Sequence, residues 1–232
     1  MGLNDFFQYF ARILTLLLVL PVHEAAHGLV AKWFGDDTAE RQGRITLNPM
    51  AHLDLFGSLL IIFTGFGWAK PVPINPMRMK KYRAGISLTA LAGPVSNILA
   101  ALVSGLIYNL MMCSQTVVNQ YYEYNFGGEV TPLICLLMVL SFLFQINIGL
   151  AVFNLIPIPP LDGFNVLRYF TSEKVDRWFY TYQREISMGL LILLVLLRII
   201  PSEYNFISII AMKFSDLLWH AVSWIPKLKW GL

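Results

Sequence analysis

Long apolar runs alternate with short polar connections along the chain, and this rhythm predicts helices of membrane-spanning length. The first run covers roughly residues 6–31 and stops at Lys32 and the Gly35-Asp36-Asp37 turn. Two more lie at about 86–112 and 131–156, and a last pair, about 186–200 and 205–225, flanks Pro201. Residues 53–68 break the rhythm. Their apolar core is only 13 residues, punctuated by Gly57, Gly65 and Gly67, which reads as a re-entrant or interfacial segment. Residues 38–49 read as a small β-hairpin-like connection around Gly43, and the proline-rich stretch after Trp68 as an ordered loop. The fold class expected is an all-α polytopic membrane protein. It has about five transmembrane helices, one short re-entrant segment and the small hairpin.

Composition sharpens that picture. With 56% hydrophobic and 13% charged residues and a mean hydropathy of +0.60, the chain leaves no room for a sizeable soluble domain. A net charge of +3 without a basic run argues against nucleic acid as a partner. Cys113 and Cys135 lack metal-ligand spacing and read as plain helix residues. Charge then assigns sides. If 53–68 turns back, the loops 32–83 and 157–185 and the tail after 225 share one side and hold 14 of the 17 Lys and Arg residues. The other three, Arg12, Arg198 and Lys213, lie within helices. The expectation is a multi-pass cell-membrane protein with its N-terminus outside and its C-terminus cytoplasmic. Arg12 is expected to snorkel to the headgroups, and Lys213 to pair with Asp216 three residues on.

Against this background His23-Glu24-Ala25-Ala26-His27 stands out, because ionisable groups inside an apolar helix mark functional sites. His23 and His27 lie one turn apart on one helix face, the spacing with which two imidazoles bind one Zn2+, and Glu24 beside them can act on water. A polar helix-packing cluster is the plainer reading. A catalytic zinc site needs a third ligand. The extended soluble pattern would place a histidine at 33, where Trp33 stands. Asp162 is the better candidate. It follows the proline-rich break Pro157-Ile158-Pro159-Pro160 at the same expected depth as the histidines, although an aspartate there can also simply cap the next helix. His52 and Asp54 form a second polar cluster, read as structural or as support for the metal ligands.

The set His23-Glu24-Ala25-Ala26-His27, Ala92-Gly93-Pro94 with Asn97, and Asn154 through Leu161-Asp162-Gly163 resembles the site-2 protease family of intramembrane zinc metalloproteases. The resemblance covers roughly residues 13–170 and is nearest to compact bacterial members without a PDZ domain. It implies one Zn2+ per chain held by His23, His27 and Asp162, with Glu24 as the catalytic glutamate. Asn154 would steady substrate or oxyanion, unless it only satisfies backbone freed by Pro157. Gly93 and Pro94 would pack beside the site, with Asn97 as a further supporting residue. The organisation implied is a single membrane-embedded metalloprotease domain over 1–232, with a catalytic core at about 6–170 and a C-terminal helix pair at about 174–225. The partners implied are a transmembrane protein substrate and the bilayer, and the active-site end would be cytoplasmic. Two rival readings are a catalytically silent relative that binds membrane proteins and a zinc-handling membrane protein.

Overall fold

A computed structural model describes residues 3–64, 67–197 and 206–230. The first apolar run folds as α1 (Leu3–Leu14), a π-helical segment (Thr15–Val19) and α2 (Leu20–Trp33), continuous end to end. It stops where Gly35 takes a φ of 103°, a left-handed conformation suited to glycine after a helix end. A single turn, α3 (Thr38–Arg41), and a 3-10 turn, Pro49–Ala51, lead into α4 (Leu55–Thr64). The second long run is α5 (Tyr82–Met111), followed by α6 (Gln115–Asn125) and the third long run, α7 (Pro132–Asn154). Beyond the proline-rich break come α8 (Asp162–Leu167), α9 (Glu173–Thr181) and α10 (Gln183–Leu197). The C-terminal part holds α11 (Phe206–Val222) and α12 (Trp224–Trp230).

Among the described residues, four stretches are long and apolar enough to cross a membrane: Tyr9–Trp33, Tyr82–Met111, Pro132–Asn154 and Phe206–Pro226. The fifth expected span, 186–200, is seen only as α10, and its continuation together with Arg198 lies outside the described residues. The all-helical expectation holds, but the hairpin does not, since the described residues contain no strand. Residues 38–41 coil instead, because Arg41 reaches back one turn to Asp37 and Ala39 is buried. Arg41, with Arg78 on the other side, holds the Asp37 carboxyl below the usual carboxylate range.

The bundle is centred on α5, which packs on α7 most extensively and on α2 next. Small residues allow the close approach: Ala101 and Ala151 are fully buried between these helices. Phe144 and Ile148 complete that layer, and Phe214, Leu218 and Trp219 of α11 pack on its outer side.

The short segment behaves as its length predicts. Lys70 N–H donates to the His52 carbonyl at 2.8 Å, and a side chain at Gly57 would collide with the Trp68 carbonyl. The chain therefore leaves this excursion where it entered. Arg12 has a partner inside the protein. Its guanidinium donates to the Ile62 and Phe63 carbonyls at 2.7 and 3.2 Å, groups that have no partner within the last turn of α4. A cation at a helix C-terminus is also favoured by the helix dipole.

The loop between α4 and α5 is stitched down step by step. Arg44 donates to the Lys70 and Pro71 carbonyls, Asn75 N–H donates to buried Asp36, Arg78 pairs with Asp37, and Lys80 N–H donates to the Phe34 carbonyl. Residues 70–80 thus form a strap across the end of α2.

Candidate metal centre

His23 and His27 lie on the buried side of α2, 5% and 6% exposed, and their Nε2 atoms are 3.1 Å apart. Asp162, the first residue of α8, brings Oδ2 to 3.2 Å from His23 Nε2 and 3.4 Å from His27 Nε2. These are the spacings of a metal's ligands. Two ligands about 2.0–2.1 Å from a tetrahedral centre stand about 3.3 Å from each other.

Hydrogen bonding behind the rings decides what the three atoms can be. Asn147 on α7 donates Nδ2 to the Leu143 carbonyl at 2.8 Å, which leaves its Oδ1 to accept from Asn97 Nδ2 at 3.0 Å. Asn97 on α5 must then present Oδ1 to His23 Nδ1, 2.5 Å away, so that nitrogen carries the proton. His27 Nδ1 likewise donates to the Thr89 carbonyl at 2.7 Å. Both Nδ1 hydrogens are committed, and each Nε2 faces inward with a lone pair. Two lone pairs and a carboxylate oxygen without a hydrogen-bond donor converge in a buried place, which is repulsive unless a cation sits among them. The donor set, two imidazoles and a carboxylate, suits zinc.

α5 shapes the space. A β-carbon at Gly93 would stand 2.5 Å from both His23 Cε1 and His27 Nε2, so only glycine leaves room there. Pro94 follows it, buried within the helix. It has no N–H for the Ala90 carbonyl and opens that turn, the turn in which Thr89 accepts from His27. Across the site, α8 begins tight against the end of α7. A side chain at Gly163 would strike the Leu155 carbonyl, and this contact seats Asp162.

Glu24 points elsewhere from the relay. Its Oε2 accepts from Val72 N–H at 3.0 Å, which ties the strap to the helix carrying the histidines. On the outer face of α2 beside it, an open groove of about 410 Å3 runs between Val22, Ala25, Ala26 and Leu29 and the connecting residues Ile45, Thr46 and Leu47.

The remaining residues singled out by sequence take other partners. Asn154 donates to the Leu150 carbonyl in its own helix at 3.0 Å. His52, 1% exposed, bonds the Thr46 carbonyl at 2.9 Å, and Asp54 Oδ1 accepts from Gly57 N–H at 2.8 Å at the start of α4. Both therefore hold the connection before α4. Asn147, the Thr89 carbonyl, Val72 N–H and Asp36 are additions from the structure. Asn147 did carry a signal, an amide in the middle of an apolar run; the backbone groups carry none.

Comparison with known proteins agrees with this geometry. A protein of Bacillus subtilis (strain 168) named "Putative zinc metalloprotease YwhC" is 41% identical over 157 residues, 67% of this chain and 66% of that protein. A second, "Putative zinc metalloprotease Rip2" of Mycolicibacterium smegmatis, is 28% identical over 187 residues, 78% of this chain and 64% of that protein. The chain thus spans about two-thirds of the length of the curated relatives it matches. No solved structure gives a significant match. The model of peptidase family M50, the family of the site-2 proteases, matches residues 11–197, and the chain belongs to that family.

Proposed function

We propose that this chain is an intramembrane zinc endopeptidase that cuts a transmembrane segment, or the stub of one, near the cytoplasmic face. The observation that carries the reading is the convergence of His23 Nε2, His27 Nε2 and Asp162 Oδ2, with both Nδ1 hydrogens held from behind. These three residues would hold the metal, one per chain. Zinc bound there supplies Lewis-acid polarisation of the scissile carbonyl and acidifies water toward neutrality.

The chain's own residues do the rest. Glu24 accepts the proton of the attacking water and delivers it to the leaving amine. Val72 N–H, bonded to Oε2, fixes one carboxylate oxygen and leaves Oε1 for that exchange. Asn154 spends one amide hydrogen on the Leu150 carbonyl and keeps a second, available to a developing oxyanion. Substrate lies along the apolar groove beside Glu24, locally unwound so that a peptide bond is exposed. The proposed domain boundaries follow: a catalytic core of about 6–170, with the later helices completing one membrane-embedded unit.

The test uses the purified full chain, its metal content measured, and a model transmembrane peptide as substrate. Glu24→Gln should keep zinc and abolish cleavage; surviving cleavage would overturn the assignment of the base. Asp162→Ala should lose zinc, and full occupancy in that variant would remove the third ligand while leaving the family intact.

A further inference from the structure

α11 turns Phe214, Leu218 and Trp219 toward the bundle, where Trp219 stacks edge-on against Phe144 and Tyr108. Its opposite face carries exposed Ile210, Lys213, Asp216, Leu217 and His220. That face belongs to Phe206–Pro226, a span of 21 residues whose apolar window is only 6% buried. Asp216 stands at the middle of it. Lys213 and Asp216 do not pair as their spacing suggested, and among the described residues neither forms an ion pair; His220 Nδ1 donates to the Asp216 carbonyl one turn back. Ionisable groups directed outward at mid-span are unfavourable against acyl chains and ask for a polar partner within the membrane.

The charge pattern indicates the partner. An anionic headgroup would suit Lys213 but leaves Asp216 at the membrane centre uncompensated. A second stripe with one cation and one anion in the same register satisfies both. We propose that this face of α11 is a homodimer interface, in which Lys213 of each copy pairs with Asp216 of the other. Copies inserted by the same route have the same orientation, so the two α11 helices run parallel about an axis along the membrane normal, and a two-fold makes each Lys–Asp contact twice. Three residues separate the two groups by about 4.5 Å along the axis, within reach of a lysine arm across a helix pair about 8–10 Å apart. Ile210 and Leu217 supply the apolar packing between the charged pairs.

The experiment reconstitutes the full chain in vesicles of phosphatidylethanolamine and phosphatidylglycerol and reads association by energy transfer between donor- and acceptor-labelled copies. Wild type should associate as a dimer. Lys213→Glu and Asp216→Lys should each lose at least about tenfold in self-association, because each homodimer then faces like charges. Mixed together, the two variants should recover association. The carboxylate introduced at position 213 of one copy then meets the ammonium introduced at position 216 of the other, while the unchanged Asp216 of the first meets the unchanged Lys213 of the second. A monomeric wild type, reversals without effect, or a mixture that fails to recover would each overturn the interface. Should a reversal lose its helical circular-dichroism signal, Lys213→Met and Asp216→Leu take its place; each should weaken association, and unchanged association overturns the proposal.

Discussion

Two sets of polar groups interrupt the apolar helices of this chain, and they are handled in opposite ways. In the centre, His23, Asn97 and Asn147 form a relay across α2, α5 and α7 in which donors and acceptors match from the Leu143 carbonyl to the ring. On the rim, Lys213 and Asp216 project from α11 without an ion-pair partner among the described residues. The central set is closed on three sides and open only where His23, His27 and Asp162 converge. The rim set is open along its whole length. A closed network fixes atoms for chemistry, whereas an open stripe invites a second surface. Polar residues in an apolar helix therefore say little until their surroundings are known.

The contrast can be broken from the centre outward. The largest effect is expected for His23→Ala, which should abolish stoichiometric zinc binding while helical content persists, as checked by metal analysis and circular dichroism. Gly93→Ala comes next. Its new methyl would lie 2.5 Å from both rings, so zinc affinity should fall steeply and the rings should be displaced, measurable by competition with a zinc chelator. Asn97→Leu removes no ligand but strands His23 Nδ1–H and Asn147 Oδ1, each buried group costing about 1–3 kcal/mol. Thermal stability should drop, and zinc affinity should fall by about 10–100-fold. The smallest effect belongs to the rim: Asp216→Leu should leave zinc content and the unfolding midpoint of dilute detergent-solubilised chain unchanged. A loss of zinc there would show that the two regions are coupled.

Much of the centre is legible in sequence because its parts are side chains at helix positions. His23 and His27 announce themselves by spacing, and Asp162 by the proline break that brings α8 back to their level. The shortness of 53–68 sufficed to read a return, which the Lys70–His52 bond bears out. What resisted reading was supplied by backbone. The Thr89 carbonyl that orients His27 and the Val72 N–H on Glu24 have no residue signature. The hairpin expectation failed for a related reason. Strand-like residues flank Gly43, but a strand needs a neighbour, and Asp37 to Arg41 had a better local bond as one helical turn. The protein partners of Arg12, the Ile62 and Phe63 carbonyls, were equally out of reach, since they lie 50 and 51 residues away in sequence.

The π-helical segment at Thr15–Val19 sets the phase of the helix it interrupts. On an unbroken wheel, Arg12 and His23 are eleven positions apart and would face within about 20° of each other. A wide turn absorbs one extra residue, which swings the two arcs apart by roughly a quarter turn. One rod can thus address two neighbours, the arginine reaching α4 and the histidines reaching α5. Drawing the same residues into a regular α-helix would bring both onto one bearing and force a choice between holding α4 and facing the ligands inward. Deleting one residue within 15–19 instead leaves ten α-helical positions, keeps the two about 80° apart and should spare both contacts.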